Sequence, residues 1–294
     1  MINFKFSRLT GSRNNNSHNV EARQMSSYGL SLVKNKIIKI IFSSLLVFNL
    51  TLLLCLSVSA KKYDGIWFLG YNLKSELLAN SQVRQAISKT IDKNYIVKSI
   101  VSEEVVPASI IPPGMIGYDA DLSSAEVDIS EAKELMRQAG YPINDPRLKT
   151  LSLLHTDGLK TKAIAQKLQA DLSQIGLKLN LVEISYMGQN NWVKELTSGQ
   201  HAFFLMGYKA GIETLFSTQE AIDGDSYSLI EPLFQTHGEA NFTGYSNAEV
   251  DKLLDQLTGI NLALKSERHL KLKQINQLLV KASPIEVLFY IEKL

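Results

Sequence analysis

The sequence predicts an α/β protein whose sheet is covered by helices, and three observations predict it. Between Thr150 and Ile184 an apolar run (Leu151–His155), a helical repeat (Ile164, Leu168, Leu172, Ile175) and an alternating run (Leu177, Leu179, Leu181) follow in order. Strand, helix, strand is a parallel crossover, which is right-handed almost without exception and commits a domain to a helix-covered sheet. Two further apolar and aromatic runs, Gly65–Tyr71 and Ile285–Ile291, are too short for helices and rich in strand formers. The composition of 45% hydrophobic and 20% charged residues, with 17 Gly and 7 Pro, is that of a globular chain and excludes collagen-like, coiled-coil and wholly disordered classes.

Residues 1–60 are a separate object. Residues 1–33 are polar and irregular and offer no core. Lys34, Lys36 and Lys39 precede the apolar stretch Ile40–Leu56, and Val58-Ser59-Ala60 follow it. Basic, apolar, small is the order of a secretory signal, with cleavage expected before Lys61. An uncleaved anchor in the cytoplasmic membrane formed by residues 40–56 is the other reading, since the stretch approaches the ~20 apolar residues that span a bilayer. Met25 is an alternative start that keeps the basic lead-in. Taking seven bases and one acid from the 31 and 29 of the whole chain leaves residues 61–294 with 24 against 28, a net charge of −4. That balance gives no footprint for nucleic acid. The single cysteine, Cys55, excludes an internal disulfide and a thiolate metal cluster.

The remaining elements follow in order. Gly65–Tyr71 is the first strand. Asn80 or Ser81 caps a helix carrying Val83, Ala86, Ile87, Thr90 and Ile91 on one face, and Asp92 caps a second short helix with Ile96, Val97 and Ile100. Pro107 and Pro112-Pro113-Gly114 exclude regular helix as far as Tyr118. Asp128 and Glu131 have capping-box spacing ahead of Ala132, Leu135, Met136 and Ala139, and Gly140 with Pro142 ends that helix. After the crossover come an amphipathic piece around Trp192, Val193 and Leu196, a strand at Ala202–Gly207 and a long loop. Ser246 and Glu249 read as a second capping box opening a helix with Val250, Leu253, Leu254 and Leu257, and a last helix with Leu272, Ile275 and Leu279 ends before Pro284.

Chemistry is sparse. His18, His155, His201, His237 and His269 are scattered, and HExxH, GxSxG and GxxxxGK[ST] patterns do not occur. Carboxylate pairs such as Glu131 with Glu134 suit capping and dipole complement. The expectation is a chain without catalysis, metal or cofactor.

Several strings occur in a fixed order: Trp67-Phe68-Leu69-Gly70-Tyr71-Asn72; Val83-Arg84-Gln85-Ala86-Ile87-Ser88 with Ile91-Asp92; Ile111-Pro112-Pro113-Gly114 with Gly117-Tyr118-Asp119; Ala132-Lys133-Glu134-Leu135 with Ala139-Gly140-Tyr141-Pro142; and Asn241-Phe242-Thr243-Gly244-Tyr245-Ser246-Asn247 with Val250-Asp251-Lys252. Each is weak alone. Collinear over about Ile66–Tyr290, they resemble the C-terminal lobe of the extracellular solute-binding proteins of family 5, receptors of ABC importers for peptides, dipeptides and nickel. The resemblance implies a single lobe of a type II periplasmic-binding-protein fold, with a central, mostly parallel sheet flanked by helices. It implies a periplasmic or secreted protein, an oligopeptide ligand and an ABC permease as partner. It also implies that the large N-terminal lobe is missing, that Gly65–Tyr71 and Ile285–Ile291 are edge strands at the former hinge, and that peptide binding by this chain alone is weak. A separate lobe, a second copy or a sensor then becomes a candidate partner, and an interaction module without its own ligand is the alternative function.

Many family members read Gly-Trp-x-Ala-Asp after the strand equivalent to Ala202–Gly207, the Asp holding the peptide ammonium. Here the loop is Gly207-Tyr208-Lys209-Ala210-Gly211 and that anion is missing. The resemblance therefore points to Tyr208, Lys209, Gly211, Glu213, Thr243 and Tyr245 as ligand-facing candidates. For Tyr208 and Tyr245 core packing, and for Gly211 a turn with positive φ, are the competing structural roles. Arg84 reads as one arm of a salt bridge within the lobe.

Overall fold

The computed structural model describes residues 61–185, 189–211 and 224–293. The expectations for residues 1–60, including the anchor at 40–56, lie outside the described residues, as does Glu213. Among the described residues, five strands and nine α-helices are placed in chain order: β1 Tyr63–Tyr71, α1 Glu76–Ala79, α2 Ser81–Ser88, α3 Lys93–Tyr95 running into a π-helical turn Ile96–Val101, α4 Ile129–Gln138, β2 Leu151–Thr156, α5 Leu159–Ser173, β3 Leu179–Ile184, α6 Gln189–Thr197, β4 Phe203–Lys209, α7 Tyr227–Phe234, α8 Ala248–Thr258, α9 Lys265–Ala282 and β5 Ile285–Glu292.

The sheet order is β3-β2-β4-β1-β5. β2 runs parallel to both β3 and β4, while β1 is antiparallel to β4 and to β5. Four strands therefore share one direction and β1 alone opposes them. The crossover β2–α5–β3 forms as its periodicity demands. At Gly176, φ of +89° and the backbone of Ile143 packed against its α-carbon leave room for no side chain.

The expectation that Gly65–Tyr71 lies at a sheet edge is corrected. β1 sits between β4 and β5, and its residues alternate between two buried faces. A near-continuous apolar run is what a strand covered on both sides requires. Ile66 and Phe68, with Leu154 and Phe204, pack under α7, α8 and α9. Leu69 and Tyr71, with Leu153, Phe203 and Leu205, pack under α1 to α5. The strand period of two thus builds two cores from one sheet.

Three other expectations are corrected. The helix after Tyr245 is capped by Asn247, whose Oδ1 accepts from the N–H groups of Glu249 and Val250 at 2.9 and 3.2 Å; Ser246 instead accepts from the Thr236 hydroxyl. Asn caps as well as Ser. At α4 only half of the capping box forms: Asp128 accepts from Glu131 N–H at 2.9 Å, but the Glu131 carboxylate pairs with Lys89 at 2.7 Å. Arg84 makes no salt bridge among the described residues and donates to backbone carbonyls at helix ends. Two ion pairs are nearly excluded from solvent, Lys93–Glu286 at 2.9 Å and Arg268–Asp225 at 2.6 Å.

Candidate functional site

In an open α/β sheet the ligand crevice lies at the carboxyl ends of the strands, where successive connections depart to opposite sides. Here that point is between β2 and β4, because α5 carries the chain from β2 outward to β3 while β4 lies on the other flank. Thr156, Asp157 and Gly158 close β2 at this end. Gly158 precedes α5 without a side-chain cap, so the first N–H groups of α5 are left for solvent or a ligand. His155 is buried and its Nδ1 lies 2.9 Å from the Thr156 carbonyl. Lys162 of α5 pairs with Glu183 of β3 at 3.2 Å, tying helix to strand beside the crevice.

β4 brings Tyr208, Lys209 and Gly211 to the same end. Gly65 of the antiparallel β1 is opposite Lys209, and the Lys209 ammonium lies 3.1 Å from the Asp64 carboxylate. The Asp64 carbonyl accepts from Ala210 N–H at 2.7 Å, and Gly211 turns the chain with φ of +67°. Tyr208 is buried in the core under α7. Its hydroxyl is pushed up to about 12 by burial and, secondarily, by the carboxylates of Glu239 and Glu231. Burial also raises the Glu231 carboxyl, with Glu239 adding to it. At the adjoining ends of β1 and β5, Lys61 pairs with Glu103 at 2.9 Å and Glu292 at 3.3 Å, and these bonds raise its pKa.

Thr243 and Tyr245 are held elsewhere. The Thr243 carbonyl accepts from Leu73 N–H at 3.0 Å, just beyond the end of β1 where Tyr71 faces Phe203. Lys209 faces the other end of the same ladder. Asn241 organises the turn, donating to the carbonyls of Gln235 and Tyr245 and accepting from the Thr243 hydroxyl. Tyr245 is buried edge-on to Phe234, ring centroids 6.2 Å apart. The structure thus leaves Lys209 and Gly211 at the carboxyl end of β4, turns the Tyr208 side chain into the core, and anchors Thr243 and Tyr245 at the other end of the ladder.

Sequence reasoning missed Asp64 and the Thr156-Asp157-Gly158 corner. The corner carried a readable signal, since Asp-Gly between a strand and a helix marks a turn. Asp64 did not, because its role depends on the antiparallel placement of β1. A second polar group, with Ser152 Oγ 3.2 Å from His201 Nδ1 and Glu195 3.0 Å from His201 Nε2, has the residue types of a nucleophilic relay. Ser152 Oγ, however, also receives the N–H of Ala202, and its neighbours are paired backbone. Among the described residues no group of three His, Cys, Asp or Glu side chains is arranged to hold a metal ion, and no helix is long and apolar enough to cross a membrane.

Residues 46–220 match the family described as bacterial extracellular solute-binding proteins, family 5, middle region. The chain is 26% identical over 176 residues to the dipeptide-binding protein of Escherichia coli K12, covering 56% of this chain and 32% of that protein. It is 27% identical over 237 residues to the dipeptide-binding protein DppE of Bacillus subtilis 168, covering 77% and 40%. Its fold is similar to that of HbpA2 from Haemophilus parasuis, with a TM-score of 0.67, 21% identity and coverage of 79% and 43%. It is similar also to DppA from Helicobacter pylori in complex with the peptide STSA, with a TM-score of 0.63, 21% identity and coverage of 79% and 43%. The chain spans two fifths or less of the length of these curated relatives.

Proposed function

Because the chain belongs to the bacterial extracellular solute-binding proteins of family 5, we propose that residues 61–294 are a solute-binding lobe that takes oligopeptides without covalent chemistry and presents them to an ABC permease. Residues 1–60 are read as its export signal or anchor, which places the lobe outside the cytoplasmic membrane.

One observation carries this reading. At the carboxyl end of β2 the chain enters α5 with no side-chain N-cap, and at the carboxyl end of its parallel neighbour β4 stands the Lys209–Asp64 pair, where the antiparallel β1 begins. A peptide presents amides, a carboxylate and an ammonium, and each has a counterpart there. The relatives named for dipeptide binding and the neighbour holding a peptide support the same ligand class. Of the sequence candidates, Lys209 and Gly211 are the ones we assign to ligand contact.

One lobe shields one side of a ligand, whereas buried pockets cover roughly 70–90% of the ligand surface. High affinity therefore needs a second surface closing over the crevice, supplied by the same polypeptide, another chain or a second copy. Calorimetric titration of this chain with tri-alanine is expected to give a dissociation constant weaker than about 1 μM. Sub-micromolar binding would show that this lobe suffices and would refute the need for closure.

A further inference from the structure

We propose that a cavity of about 290 Å³ beside the outer edge of β5, remote from the crevice, is a binding site for a free α-amino acid. The Lys93–Glu286 pair lies on its lining, each side chain more than nine-tenths buried. Lys93 gives one N–H to the Pro107 carbonyl at 3.2 Å and one to Glu286 Oε1 at 2.9 Å, which leaves its third donor uncommitted. Among the described residues, Lys93 is the ion-pair partner seen at the Glu286 carboxylate, through Oε1. A donor on a cation and an acceptor on an anion thus stand side by side at a pocket wall. A zwitterion satisfies both: its carboxylate meets Lys93 and its ammonium meets Glu286. A simple anion or a simple amine satisfies one and leaves the other charge desolvated, which costs more than it returns.

The walls are prepared for a ligand. Pro107 fixes its own φ, the Ser109 N–H and carbonyl are both bonded to the Tyr290 hydroxyl, and Asn276 Oδ1 accepts from Ile110 and Ile111 N–H. Binding then orders little that is not already ordered. The volume lies at the lower limit for ligand pockets, roughly 300 Å³, which suits one amino acid and excludes the peptides assigned to the crevice. Lys281 and Lys89, the latter paired with Glu131 at 2.7 Å, also line the cavity.

The test is calorimetric titration of the full chain with glycine, L-alanine and L-serine, with acetate and ethylamine as single-charge controls. Saturable binding of the amino acids, at least tenfold tighter than either control, is expected. Ala108→Trp and Ser124→Trp add bulk at two lining positions outside the ion pair itself, and each is expected to weaken amino acid binding at least tenfold while cooperative melting persists. Glu286→Gln keeps the shape and removes the ammonium partner, with the same expected loss. Acetate binding as tightly as glycine would make the cavity an anion site. Undiminished amino acid binding in both tryptophan variants would place it elsewhere, and absence of binding by all three amino acids would remove the site altogether. Each of these results overturns the proposal.

Discussion

Arg84 of α2 donates twice to the carbonyl of Ala282 at the end of α9, from Nε at 3.2 Å and Nη2 at 2.7 Å, across 198 residues of chain. The same guanidinium reaches the carbonyls of Ser283, Leu78 and Ala79 at 2.7 to 2.9 Å. α9 covers one face of the sheet and α1 and α2 the other, so one side chain ties both layers at their carboxyl-terminal ends. Those ends leave carbonyls without helical partners and carry partial negative charge, which a planar five-donor cation satisfies. Arg84→Ala is expected to lose about 3 kcal/mol of stability in urea denaturation, because several buried acceptors are stranded together. Arg84→Lys is expected to restore less than half, and full recovery would mean that charge alone suffices.

Lys93 and Glu286 form a pair of a different kind. With both groups buried, their attraction roughly offsets the desolvation of two charges, while removal of one strands the other. Glu286→Leu is expected to cost about 3–5 kcal/mol, and the double variant with Lys93→Met to fall within about 1 kcal/mol of the parent. A double-mutant cycle by denaturation measures this. Additive losses would show that the two charges are not coupled.

The parts of this fold that a sequence displays are those set by local period. The crossover of β2, α5 and β3 was readable because Ile164, Leu168 and Leu172 repeat at helical spacing and Leu177, Leu179 and Leu181 alternate. α7 was not. Its eight residues include Pro232, which reads as a breaker because it has no N–H to give the Ser228 carbonyl; its own carbonyl accepts from Ala240 N–H. Strand order is non-local, so no local pattern shows that β1 is central or that Asp64 lies beside Lys209. The partners of Arg84 escape the sequence for the same reason: they are carbonyls, which no residue type announces. The crevice is half legible, since the Gly207–Gly211 loop aligns with the family string by Gly207 and Ala210 while the Thr243–Tyr245 turn belongs to the other end of β1.

Asp119 gives the protein a pH-dependent tie. Its carboxylate pairs with Lys273 of α9 at 2.9 Å and accepts from Gln277 at 2.7 Å and from Asp121 N–H at 3.1 Å. Lys273 first, then Gln277, hold the Asp119 carboxyl below its ordinary value. A lowered folded value means that the contribution to stability is present above the unfolded aspartate range, near ~3.9, and is lost as the pH falls through the lowered value. Asp119→Asn is therefore expected to melt below the parent at pH 7 and to converge with it in acid. A gap in melting temperature that stays constant from pH 7 down to about 2.5 would exclude this linkage.

Trp67 lies against Gly207, where any β-carbon would meet the six-membered part of the indole, and its ring stacks on Phe289 with centroids 5.8 Å apart and planes 12° from parallel. Trp67 is on β1, Phe289 on β5 and Gly207 on β4, so one aromatic contact spans three adjacent strands two residues before Lys209. Gly207→Ala forces either the indole or the β4 backbone to move, at a cost of about 1–3 kcal/mol. If the indole moves, it leaves the phenyl ring and meets more water, and its emission shifts to the red. If the strand moves, Lys209 is displaced from Asp64 and the crevice widens. The chain has two tryptophans, so a Trp192→Phe background isolates the signal of Trp67. In that background Gly207→Ala is expected to change the emission maximum and the near-ultraviolet dichroism together. An alanine variant with parental stability and unaltered spectra would mean that Trp67 and Gly207 are not in contact.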